Sequence, residues 1–450
     1  MAGAVSALSG LRSAVAACAI RVGLITVGLV TIGLVTIGLA LASGPAAAEN
    51  GWNIPPGASF APDKLARLDV FFRDEIAAGK IPGAIVLISQ RGQPVYSRMF
   101  GVRDVATRLA MTPDTLFPID GMTKPITSVI ALMLADEGKL KLDEPVAKYI
   151  PSFAEAKVGV EKKADAGDRF LDLVPLKRPI IVRDLLLHTS GITSGSYGDS
   201  LVRKAYAGAN LYGGDVDNAE FANRIARLPL AEQPGTRWDY GHSTDVLGRV
   251  IEVVSGKSLY ETAKDKLFDP LGMKDTSFFI GPRDFDRLAE PLPNDAGSRF
   301  GRVRSPRVPM RWESGGAGMV STAADIARFC QMLLNRGTLD GRQYLSADTF
   351  RQMVADQIGK GAGVARDSFY FPGDGFGFGY GFAVRTDAGS AKPPAPGSLG
   401  AINASGESGT YFAVDFRQEM FVVLMQQTPS NRQRIQRAVA QLVYEALEKP

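Results

Sequence analysis

The sequence predicts an α/β fold, an antiparallel sheet flanked by helices, into which a mostly helical lobe is inserted. Three observations carry this. "GAIVLISQRGQPVYSRMFGV" (83–102) reads as two strands around Arg91-Gly92, and "GTYFAVDFRQEMFVVLMQQ" (409–427) reads as a second hairpin. "DKLARLDVFFRDEIAAG" (63–79) and "NRQRIQRAVAQLVYEALEK" (431–449) carry apolar residues at helical spacing, so each end of the chain offers a hairpin and a helix to one shared layer. From about 155 to 310, short helical segments alternate with Gly-rich and Pro-rich loops, including the polar stretch "EKKADAGDRF" and the linker "GPRDFDRLAEPLPNDAGSRFGRVRSPR". The expected organisation is therefore an α/β lobe over about 62–154 and 311–450, and a helical lobe over about 155–310. A small-molecule site is expected in the cleft between them.

The first 48 residues differ from the rest. Arg12 and Arg21 are their only charges, and Val22 to Ala42 is an unbroken apolar or small run containing the repeat "ITVGL VTIGL VTIGL". The tail "SGPAAAEN" offers an A-x-A cleavage site ending at Ala48, so the segment reads as a secretory leader with the mature chain starting near Glu49. A run of this length also suffices to span a bilayer, so a retained anchor through residues 22–42 stays open. Either way the body of the protein is expected to be exported, periplasmic or secreted.

Removing 1–48 leaves 49 basic against 47 acidic side chains, a balance that gives no electrostatic footprint for nucleic acid. Cys330 is then the sole cysteine, in the apolar helical context "ADIARFCQMLL", and reads as a buried small hydrophobe. His188 and His242 are the only histidines, which argues against a metal cluster. No cofactor motif is present: "SGKS" (255–258) lacks the upstream glycine of a phosphate loop and reads as a helix end at Gly256. "GDGFGFGYGF" (373–382) reads as a strand that lets backbones approach closely.

"LFPIDGMTKPITSVIALML" (116–134) is where chemistry is expected. Asp120 can cap a helix starting near Gly121, and Ile126, Val129, Ile130, Met133 and Leu134 form its apolar stripe. Positions 121 and 124 then share a face, one turn apart. A hydroxyl at the first and an amine at the second would be a nucleophile and its activator at a helix N-terminus. Only Lys124 is present.

"GMTKPITSVIALMLADEGKLKLDEPVAKYIP", "VRDLLLHTSGI", "PGTRWDYGHSTDVLGRVIEVVSGKSLYE", "PLGMKDTSFF", "GGAGMVSTAADIARFCQMLLNRGTLDGRQYLS" and "GTYFAVD" resemble successive blocks of the serine β-lactamase and penicillin-binding-protein superfamily. The similarity is to its class C-like branch with carboxylesterase relatives, and it runs from about 62 to 446. The resemblance implies a β-lactamase/transpeptidase-like fold and an ancestral acyl-transfer hydrolysis of an ester or amide. It places the S-x-x-K motif on Gly121-Met122-Thr123-Lys124, so Lys124 matches and Gly121 stands in place of the serine. It places the tyrosine of a Y-x-N-type motif on Tyr240, with Gly241 and His242 following, and the K-T-G-like box on Ala404-Ser405-Gly406. The backbone N–H groups of Gly121 and Glu407 would be the oxyanion donors.

Beside the family roles stand plainer ones. His188 reads as a structural turn residue, and His242 as a group that tunes or merely faces the site. With Gly121 the acyl-enzyme route through that position is closed. Ser405 or a water held by Lys124 and Tyr240 remain as alternative nucleophiles, whereas Thr123 faces away. The expected ligand is a small ester, amide or peptide, turned over slowly. The alternative is a non-catalytic binding protein that holds a peptidoglycan fragment, peptide or ester in the same cleft. Ala404 removes a cation that would favour β-lactam carboxylates. On sequence alone, Gly121→Ser is expected to be well tolerated and to raise esterase activity.

Overall fold

The computed structural model describes residues 57–165, 167–297, 305–359, 361–392 and 394–448. The leader lies outside the described residues. Eight strands form one antiparallel sheet: β1 (Gly83–Gln90), β2 (Gln93–Asp104), β3 (Leu109–Ala110), β4 (Phe376–Phe378), β5 (Ala383–Arg385), β6 (Ile402–Ser405), β7 (Tyr411–Asp415) and β8 (Met420–Gln426). Their order is β4-β5-β6-β7-β8-β1-β2-β3, so the two ends of the chain meet where β8 pairs with β1. The jointly built layer expected from the terminal hairpins is thus a single sheet. The β1–β2 turn is Arg91-Gly92, both at positive φ, as a tight hairpin turn requires.

Central strands are apolar on both faces because both faces are covered. Ala84, Val86, Ile88, Val422 and Leu424 pack beneath α1 (Pro62–Ala77) and the closing helix α8 (Arg432–Ala446), through Leu65, Leu68, Phe72, Ile435, Val439 and Val443. The alternate residues Ile85, Phe421, Val423 and Met425 join the larger core. That core holds α2 (Thr123–Asp136), α3 (Val182–Leu187), α5 (Asn218–Ala226), α6 (Ser243–Ser255) and α7 (Ala323–Leu334), while the short α4 (Leu201–Gly208) adds Val202 and Tyr206. A period of two therefore selects which core a side chain enters. Truncating a fully buried ring such as Phe72 or Phe329 to alanine would cost about 3–5 kcal/mol.

Cys330 lies in the α7 core at 0% exposure, and burial pushes its thiol well above the usual range. Gly377 and Gly379 sit against Asp356 and the Met353 carbonyl, the close approach read from their spacing. One expectation holds only in part: the middle of "EKKADAGDRF" is a turn, but its two ends are strands. Lys157–Lys163 and Arg169–Pro175 form a two-stranded hairpin in which Lys162 pairs with Asp172 and Arg169 with Glu161. The charges that read as a solvated loop are cross-strand partners. No helix among the described residues is long and apolar enough to cross a membrane.

Candidate functional site

Position 121 lies in a short 3-10 turn, Asp120–Met122, that runs directly into α2. Asp120 does not cap this helix. Its backbone turns at φ +41°, and its carboxylate instead accepts the Ser408 N–H at 2.8 Å and the Ser408 hydroxyl. The reason is local: the 3-10 turn already uses the first N–H groups, with Met122 donating to the Ile119 carbonyl at 2.9 Å and Thr123 to that of Asp120. Asp120 thereby ties the start of α2 to the loop that follows β6. Thr123 does face away, its hydroxyl accepting the Met319 N–H at 3.2 Å.

Lys124, one turn on from Gly121, is 7% exposed and donates from Nζ to the Gly316 carbonyl at 2.8 Å. The Gly316 N–H in turn donates to Asp245 Oδ1 at 3.1 Å, and the Ser314 hydroxyl donates to the same oxygen at 2.5 Å. Burial pushes the Lys124 ammonium below its ordinary pKa, while the negative charges of Glu407, Asp245 and Asp120 pull it back. Burial resists ionisation of Asp245, but His242, Ser314 and the Lys124 charge together hold its carboxyl below the usual range.

The structure brings Tyr240 and Lys124 together: Nζ lies 4.4 Å from the ring centroid. Tyr240 stands between the buried Trp238 and α6, on a turn pinned by Asp239 N–H to the His188 carbonyl (2.9 Å) and His242 N–H to the Thr193 carbonyl (3.4 Å). A Cβ at position 241 would lie 2.3 Å from the Thr193 carbonyl carbon, so this turn can close only over glycine. His188 ends α3 at φ +55°, as a turn residue, and its ring also stacks on Tyr240 at 5.3 Å. It is 1% exposed, and burial, then the Lys124 charge, push it down to about 3, so it stays neutral. His242 turns away from Tyr240, with Nδ1 3.1 Å from Asp245 Oδ2 and Nε2 3.3 Å from the Tyr212 hydroxyl.

The sheet side of the site is different. An ideal Cβ at Gly121 would lie 2.5 Å from the Ser405 carbonyl oxygen and 3.1 Å from the Tyr240 hydroxyl. What β6 presents to position 121 is a backbone carbonyl. The Gly121 N–H donates to Glu407 Oε2 at 3.1 Å, and the Tyr240 hydroxyl donates to Glu407 Oε1 at 3.2 Å. One carboxylate therefore takes both of these donors. Burial, then the Glu407 charge, raise the Tyr240 phenol well above its ordinary range, so it keeps its proton. Gly406 closes the turn after β6, donating to the Thr410 carbonyl at 2.8 Å, and Ala404 packs partly against the larger core.

The side chain of Glu407 escaped sequence reasoning, which assigned that residue only a backbone role. So did Asp245, Gly316 and the stacking face of His188. Asp245 carried a signal, an acidic residue in the first turn of α6 beside His242. Glu407 carried none, because its reach across to Gly121 depends on the β6–β7 turn.

Compared with known proteins, residues 68–445 match the sequence model of the beta-lactamase family. The chain belongs to the beta-lactamase family. It is similar to an uncharacterised protein of Mycobacterium tuberculosis, 33% identical over 367 residues that cover 79% of this chain and 88% of that protein. It is likewise similar to esterase EstB of Burkholderia gladioli, 31% identical over 388 residues, 81% of this chain and 90% of the esterase. Among solved structures, EstCE1, a hydrolase with promiscuous acyltransferase activity, shares the fold at a TM-score of 0.69 and 24% identity, over 85% of this chain and 98% of EstCE1. The octameric penicillin-binding protein homologue from Pyrococcus abyssi aligns at a TM-score of 0.60 and 26% identity, over 84% and 77%. This is a beta-lactamase-family fold with esterase and carboxypeptidase relatives.

Proposed function

We propose that this member of the beta-lactamase family is an exported binding protein that holds a small ester, amide or peptide compound without turning it over. The observation that carries the reading is the Glu407 carboxylate on the Gly121 N–H. Acyl transfer at that point needs an attacking hydroxyl and free donors for the oxyanion. Position 121 has no hydroxyl, its N–H is taken by an anion, and the Ser405 carbonyl fills the space where a side chain would start. Lys124 and Tyr240 act in this reading as a fixed polar wall that orients the ligand.

A second reading, slow hydrolysis by a water held at Lys124 and Tyr240, is favoured by the contact between those two groups. One experiment separates them. The protein is titrated with short-chain esters and β-lactams by calorimetry, assayed for turnover, and treated with a serine-directed phosphonate probe followed by mass spectrometry. Binding with neither turnover nor label is expected. Saturable hydrolysis abolished by Lys124→Met, or a covalent adduct on Ser405, overturns the binding-protein reading.

A further inference from the structure

Glu407 is an anion in a place built from donors. Its two carboxylate oxygens are divided between a backbone N–H and a phenol, 3.1 and 3.2 Å away, and the Lys124 ammonium lies 4.4 Å from the centroid of that phenol's ring. The phenol is the ring under the Lys124 ammonium, and it cannot easily give up its proton while an anion sits against it. Two donors thus converge on one carboxylate, and an ammonium stands over the ring of one of them.

The second observation lies just outside. Phe371 is 42% exposed, yet its ring stands edge-on to Tyr240 at 4.9 Å and to Tyr197 at 4.9 Å, and Phe369 follows at 5.9 Å from Tyr197. Phe371 thus meets the same Tyr240 whose hydroxyl donates to Glu407 Oε1, which places this aromatic wall beside the carboxylate. An exposed phenylalanine held between rings offers apolar area to a ligand at little conformational cost.

We propose that the Gly121 N–H and the Tyr240 hydroxyl, beside Lys124, form a carboxylate-binding site that Glu407 occupies in the resting protein, and that the external ligand is a hydrophobic carboxylic acid. Its carboxylate replaces that of Glu407, and its apolar body lies against Phe371, Phe369 and Tyr197. A carboxylate exchanges for Glu407 with no change in charge or donors, so of the compounds the cleft holds the free acid should bind more tightly than the neutral ester, whose carbonyl accepts the same donors without the charge. This rests on the reading of the cleft as a binding site and names the chemistry of what it binds: the acid half of such an ester. Glu407, tethered four residues from the β7 strand, competes at the millimolar effective concentration typical of an intramolecular group, so wild-type affinity for a small acid should be low.

The test is calorimetric titration of the full chain with propionate and 3-phenylpropionate. Glu407→Ala should bind 3-phenylpropionate at least tenfold more tightly than wild type, and propionate more weakly than 3-phenylpropionate. Adding Phe371→Ala should remove most of the difference between the two acids, and adding Tyr240→Phe should weaken both severalfold. Glu407→Gln, which keeps the shape but loses the charge, should fall between wild type and Glu407→Ala and serves where the alanine variant does not fold. Equal affinity in wild type and both Glu407 variants overturns the proposal, as does indifference of the tightened binding to Tyr240→Phe. Ester turnover by the wild type would overturn the non-catalytic reading and leave these affinities to be judged separately.

Discussion

On the helical side of the site, Gly316 links the Lys124 ammonium to the Asp245 carboxylate and the ammonium stands over the Tyr240 ring; on the sheet side, the Ser405 carbonyl and the Glu407 carboxylate lie against Gly121. The first side keeps the residue types expected from the family resemblance. The second has been refilled from its own backbone and one neighbouring carboxylate. The difference teaches that a glycine at this position is not an open vacancy. With no side chain at position 121, a strand carbonyl packs against the start of the helix and the Gly121 N–H meets an anion.

The strongest way to break this comparison is on the lysine side. Lys124→Met should destabilise the protein by about 1–3 kcal/mol, because it leaves the buried Gly316 carbonyl without its donor. Urea unfolding measures this. A loss under about 1 kcal/mol would mean that the helical side is no better organised than the sheet side.

Restoring chemistry requires both changes on the sheet side. Gly121→Ser alone should show little esterase activity, since the Ser405 carbonyl and Glu407 occupy the new side chain's space and its oxyanion donor. Gly121→Ser with Glu407→Ala should exceed the single variant by about 10²-fold, the value of one freed oxyanion donor. Ester assays and phosphonate labelling check it. Equal activity in the two would show that Glu407 is not an obstacle.

The same geometry corrects the expectation that position 121 tolerates a side chain. Helix-start preference favours serine over glycine by a few tenths of a kcal/mol. A Cβ 2.5 Å from a strand carbonyl demands that backbone move, at about 1–3 kcal/mol. Thermal unfolding of Gly121→Ala against wild type decides which effect wins, and a neutral result would place the strand as readily displaced.

These cases mark how far the sequence was legible. The terminal hairpins and helices and the buried Cys330 could be read because periodicity reports on the chain's own neighbourhood, whereas Tyr240 was named only through the family resemblance. Gly121 could be read as standing where the family resemblance expects a serine, but not as closed, because the Ser405 carbonyl arrives from 284 residues away by way of the sheet register. Asp120 looked like a cap and is a tether to Ser408, a distinction set by one positive φ. Charge-rich 161–170 looked like a loop since cross-strand ion pairs and solvated loops share a composition.

The smallest expected effect tests whether the lysine side is dry. His188 stacks on Tyr240, is 1% exposed, and its Nδ1 has no hydrogen-bond partner among the described residues. Its folded pKa of about 3 lies below the ordinary value of 6.5. Between those values the unfolded chain binds a proton that the folded chain does not. The stability His188 allows is therefore fully present above about pH 6.5 and is lost as pH falls toward 3, by roughly 1.4 kcal/mol per unit. Asp239 works against this: desolvation raises its carboxyl to about 6, so its contribution is present at low pH and lost as pH rises through 6. The two partly cancel in the wild-type profile between pH 4 and 6, and only a difference can isolate the histidine. His188→Phe keeps a ring against Tyr240 and removes the titration. The stability of wild type minus variant, from urea unfolding at pH 7, 6, 5 and 4, should fall by roughly 1.4 kcal/mol per unit below pH 6. Parallel profiles would show that His188 takes up its proton in the folded state, and with water reaching that ring, the contrast between a dry lysine side and a refilled sheet side would not stand.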